Sequence, residues 1–106
     1  MPKYLLLVNY TLDGVKGIVS KGGSARKAAA QAAVESVGGT LESMYFAFGS
    51  TDVFAIAELP NNAAAAAVAL TVSGSGGATV STVVLLTPEE IDEATQTGVQ
   101  YTPPGQ

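Results

Sequence analysis

The stretch VFAIAEL at positions 53–59 lacks the alternation that a strand with one wet face must show. Successive side chains of an extended chain point to opposite faces, so a half-wetted strand reads apolar, polar, apolar. Here Val53, Ala55, Ala57 and Leu59 form one face, while Phe54 and Ile56 dominate the other and Glu58 is its only charge. Residues 83–86 are Val-Val-Leu-Leu and residues 5–8 are Leu-Leu-Leu-Val, again apolar on both sides. A sheet made of these strands is expected to be dry on both faces.

The rest of the chain provides cover for one face. Residues 4–10 read as a buried first strand, and Thr11 or Asp13 as the cap of one or two helical turns over 15–20. Gly22-Gly23 interrupts, Ser24 caps a helix over 25–37, and Gly38-Gly39 stops it. In that helix the alanines, Val34 and Val37 are expected inside, with Arg26, Lys27, Gln31 and Glu35 in water. Strands follow over 40–48 and 53–59, joined by a tight hairpin through Gly49-Ser50-Thr51-Asp52. An asparagine after Pro60 caps a second helix to about residue 72, and a fourth strand spans 78–86. Thr87-Pro88-Glu89-Glu90 opens a last short helix, with proline at its first position and acids at the positive end of its dipole.

The order strand, helix, strand, strand, helix, strand predicts an α+β, ferredoxin-like βαββαβ domain over 1–96, its antiparallel sheet carrying both main helices on one face. Residues 97–106, with Pro103-Pro104-Gly105, form a flexible tail. The uncovered face then calls for a second copy, stacked sheet to sheet about 10 Å apart in a dimeric α/β-barrel-like association. No charge occurs between Glu58 and Glu89, so the second helix offers water only small and apolar side chains and is expected to pack on another element or subunit.

Composition narrows the chemistry. The chain has no cysteine and no histidine, which removes thiolate nucleophiles, imidazole bases and the commonest transition-metal ligands. A formal charge of −4 and no basic stripe argue against nucleic acid. The apolar run near the start is too short for a signal peptide or a membrane span, which makes a cytoplasmic location the expectation.

The chain resembles the GYD-domain family of small bacterial proteins over roughly residues 2–95. The likeness is carried by PKYLLLVNYT at the start, then Gly14-Val15-Lys16-Gly17, Gly22-Gly23-Ser24-Ala25-Arg26, Val37-Gly38-Gly39, YFAFG followed by Asp52-Val53, Leu59-Pro60 and LLTPEE. It implies a ferredoxin-like fold that dimerises through its sheet and supplies no specific activity or cofactor. The family's Gly-Tyr-Asp motif falls on Gly49, Thr51 and Asp52, so the tyrosine is missing. Gly49 is expected to take a positive φ in the turn and Asp52 to bond the turn's own amides.

Candidate ligand-binding residues are Asn9, Tyr10, Lys16, Arg26, Tyr45, Asp52 and Glu58. Glu58, beside Phe54 and Ile56, is a candidate proton carrier in apolar surroundings, or else a solvated strand end. Lys16, Arg26 and the amides near Ser24 form a candidate anion site, or else a plain loop and cap. An N-terminal Pro2 amine is a further, weaker candidate base. The pattern points first to a homo-oligomeric domain for small-molecule binding or assembly, with an apolar or anionic ligand and no cofactor. The alternative is a cofactor-independent enzyme of the dimeric α/β-barrel type, using a carboxylate or a tyrosine as acid and base.

Overall fold

The computed structural model describes residues 1–106. The chain runs β1 (Lys3–Tyr10), α1 (Leu12–Lys21), α2 (Gly23–Ser36), β2 (Thr40–Phe46), β3 (Val53–Glu58), α3 (Asn62–Gly74), β4 (Ala78–Leu85) and α4 (Pro88–Gln96). The fold is α+β: one four-stranded sheet in the order β2-β3-β1-β4, every pair antiparallel. That order is compatible with a ferredoxin-like plan.

Local chemistry explains the element ends. Thr11 accepts a hydrogen bond from the Gly14 N–H and caps α1, which is a longer helix than residues 15–20 alone would make. Asn61 caps α3 through the Ala64 N–H at 2.9 Å. Thr87 and Glu90 form a reciprocal capping box at the start of α4, with Pro88 in its first turn. Gly38, at φ +86°, ends α2, and the Gly39 N–H returns to the Val34 carbonyl. Ser24 is not a cap: α2 already starts at Gly23, and Gly22, at φ +87°, leaves its N-terminus without a side-chain partner.

The β2–β3 connection differs from the expected four-residue turn. β2 stops at Phe46 and the connection takes residues 47–52. The Ala47 N–H donates to the Asp52 carbonyl and the Asp52 N–H to the Val8 carbonyl, so the ladder closes there and the chain beyond splays outward. Gly49 does not take a positive φ, and a Cβ there would meet nothing. Asp52 does not bond the turn's own amides. Its carboxylate accepts from the Tyr10 N–H at 2.9 Å, and Asn9 in turn accepts from the Asp52 N–H at 3.1 Å. The pair ties the hairpin to the end of β1.

The core lies between the sheet and α2 and α3. Tyr4, Leu6, Val53, Ala55 and Ala57 of the sheet meet Val34, Leu59 and Ala65, and the Tyr4 hydroxyl donates to Asn62 at 2.7 Å. This is a small core: 11 of 106 residues are buried, and three of the eight in the central cluster are alanines. The register places Leu5, Leu7, Phe54, Ile56 and Val83 together on the opposite face, which no helix covers. Phe54 and Val83 are 43% and 42% exposed there. Lys3 sits at one end of this face within 3.0 Å of Glu42 and 3.8 Å of Glu58.

From Leu86 onward every residue is exposed, α4 included, among them the large apolar side chains of Leu86, Ile91, Val99 and Tyr101. The radius of gyration is 16.9 Å, against about 13 Å for a compact domain of this length. The accessible surface is 7069 Å², where a compact monomer of this mass exposes about 5,500 Å².

Candidate functional site

Two adjoining spaces lie between the helices and the sheet. The outer one is a cleft of about 570 Å³ where α1, the start of α2 and residues 75–78 converge. Its wall follows from close backbone packing. The Thr11 N–H donates to the Gly77 carbonyl and the Thr11 hydroxyl to the Gly76 carbonyl, at 3.0 and 2.8 Å. Gly14 faces the same loop so closely that a Cβ there would collide with the Gly77 carbonyl oxygen. Only glycine allows α1 to approach its neighbour this way.

The inner space, about 80 Å³, lies under α2 and is lined almost wholly by apolar side chains, among them Leu6, Ala33, Met44 and Val80. Its origin is the composition of α2. Arg26, Ala30, Ala33 and Val34 recur at helical spacing on the side facing the sheet, and alanine is too short to fill the gap. The two spaces adjoin, with Tyr10, Arg26, Ala29, Val72 and Ala78 lining both.

The expected site residues therefore divide. Tyr10 and Arg26 come together, both at the junction of the two spaces. Arg26 was expected in water, yet it is half-buried, because it belongs to the inward stripe of α2. Lys16 is exposed and outside the cleft; Lys21, one turn further along α1, lines it together with Asp13. Asn9 and Asp52 are engaged with backbone at the hairpin base. Tyr45, 72% exposed, pairs in register with Phe54 on the uncovered face.

Glu58 is on that same face, in an ion pair with Lys3 rather than in either space. The Lys3 ammonium is held above the ordinary lysine range, first by its hydrogen bond to Glu42 and then by the charge of that carboxylate. Pro2 is exposed, and its carbonyl accepts from the Leu59 N–H at 3.1 Å.

Sequence reasoning missed Lys21 and Asp13. Both lie on α1, whose extent depends on the Thr11 cap, and their convergence with α2 requires the loop contact at Gly77. No cluster of three or more carboxylates, thiols or imidazoles gathers anywhere to hold a metal. No helix is long and apolar enough to cross a membrane. The arrangement can hold a molecule with an apolar part inside and a polar part at the mouth.

Comparison with known families matches residues 4–95 to the GYD domain. No curated protein and no solved structure matches the chain.

Proposed function

This chain belongs to the GYD-domain family, and from that premise we propose that it is a homo-oligomeric domain whose subunits each hold a small molecule between sheet and helices. The observation that carries the reading is the apolar chamber under α2 adjoining a cleft lined by charged groups. Ligand sites have this form: mostly apolar walls and a few placed polar groups.

Association is supported by the uncovered sheet face. Its centre is Leu5, Leu7, Phe54, Ile56 and Val83, and its ends carry Lys3, Glu42 and Glu58 on one side and Asn9 and Thr79 on the other. An apolar centre with a polar rim is the composition of a protein interface. The face of a second copy is its simplest cover, in the manner of a dimeric α/β barrel. The excess accessible surface, about 1,600 Å² with the exposed arm included, is more than the roughly 800 Å² that one partner contributes to a stable interface. The exposed arm from Leu86 is available to wrap the other copy.

The alternative, a cofactor-independent enzyme using a carboxylate or tyrosine, would have to use Asp13 or Tyr10, the carboxylate and the tyrosine that border the cleft, since Glu58, Asp52 and Tyr45 lie elsewhere. Native mass spectrometry of freshly purified protein tests the proposal. A dimer or higher oligomer carrying a retained small molecule is expected. Bare 10.7 kDa single chains would overturn it.

A further inference from the structure

Arg26 is the least explained side chain in the molecule. Its Nε is buried and has no hydrogen-bond partner. A guanidinium stays charged at any accessible pH, and an unpaired buried donor is among the costliest groups a protein can carry. It also stands in the first turn of α2, where the helix dipole disfavours a cation. That turn has no acidic residue and its capping position supplies no side-chain acceptor. The molecule's two ion pairs both belong to Lys3, so neither Arg26 nor Lys21 is neutralised. Both line the outer cleft with Asp13 as the sole acid, leaving the mouth with a net charge of +1 in a chain of −4.

Resting on the small-molecule reading above, we infer that the cleft binds the carboxylate of a small amphipathic acid. The head group lies on Arg26 and Lys21, and the hydrocarbon part enters the chamber under α2. A planar carboxylate matches the guanidinium fork of a cleft-lining arginine, and Lys21 adds a second positive charge beside it. One net positive charge suits a monoanion, and Asp13 at the rim works against a dianion such as a phosphate monoester. The inner space sets the tail. At about 80 Å³ it holds roughly three groups the size of a water molecule or methylene, so the last three carbons of a six-carbon acid fill it and the others lie towards the outer cleft.

The test is a titration of the full chain, followed by amide chemical shifts, with hexanoate, hexan-1-ol and inorganic phosphate as probes. Hexanoate is expected to shift amides of Gly23, Arg26, Ala33 and Val72 and to bind at least tenfold more tightly than hexan-1-ol, with phosphate not competing. Arg26→Met, which keeps the length of the aliphatic stem and removes the guanidinium, should weaken hexanoate tenfold or more and leave hexan-1-ol unchanged. Lys16→Met, outside the cleft, should alter neither.

Equal affinity for acid and alcohol in the natural sequence overturns the carboxylate inference and leaves the apolar site standing, whatever the fate of the variant. Competition by phosphate also overturns it, by exposing an unselective anion site. Silence of all three probes overturns the inference and removes the support for the chamber as a ligand site.

Discussion

Replacing Phe54 by alanine isolates the uncovered sheet face from everything else in the molecule. Phe54 points away from α2 and α3, opposite Leu7 and Tyr45, so its ring supports no part of the helix-side core. In the single chain 43% of the residue is exposed. A phenylalanine carries about 200 Å² of surface, so about 90 Å² remains for a partner to cover. At 25 cal/mol per Å² that is about 2 kcal/mol for each copy. In the proposed two-fold dimer the ring would enter the interface twice, so that dimer should lose about 4 kcal/mol. This corresponds to roughly a thousandfold rise in the dissociation constant. Sedimentation equilibrium over a wide concentration range measures that constant, and circular dichroism checks that the fold is kept. A Phe54→Ala chain that is folded and associates as tightly as the natural one would refute the reasoning.

Other substitutions address the helix side and the hairpin. Gly14→Ala forces a Cβ against the Gly77 carbonyl and should destabilise the fold by about 1–3 kcal/mol in urea unfolding, with amide shifts concentrated at residues 75–78. Ala33→Ile adds carbon to the chamber under α2; it should raise thermal stability by about 1 kcal/mol and block hexanoate, and a destabilised variant would mean the space is not there. Asp52→Ala strands the Tyr10 N–H and should cost about 1–3 kcal/mol in the same unfolding assay. Lys3 is raised above its ordinary value in the folded chain, so its pair with Glu42 contributes fully below the usual lysine pKa. That contribution should fade as pH climbs through the raised value, an alkaline loss that Lys3→Met abolishes.

Local signals explain how much was legible in the residues alone. Thr11, Asn61, Thr87 and Gly38 each mark a helix end by short-range hydrogen bonding or backbone freedom, and each does so in the structure. The period of two in 53–59 separates the face of Val53 from that of Phe54, and the observed register keeps that division. What failed depends on contacts between distant segments. Gly49 looked like the turn's conformational hinge, but ladder closure at Ala47 and Asp52 sets that turn instead.

Arg26 was placed in water by its charge, although its spacing to Ala30, Ala33 and Val37 puts it on the inward stripe. A charged residue on that stripe is itself the signal, and periodicity outranks residue type there. The cleft could not be read at all. It exists because Gly14 meets Gly77 and because alanine leaves room under α2, and both are matters of three-dimensional fit.

An isotope-filtered nuclear Overhauser experiment, on a sample mixing labelled and unlabelled chains, asks most directly what lies over the bare side of the sheet. The Phe54 ring of one copy should show contacts to methyl groups of Leu5, Leu7 or Ile56 in the other. An absence of cross-chain contacts at Phe54, with its ring protons in exchange with solvent water, would contradict the account.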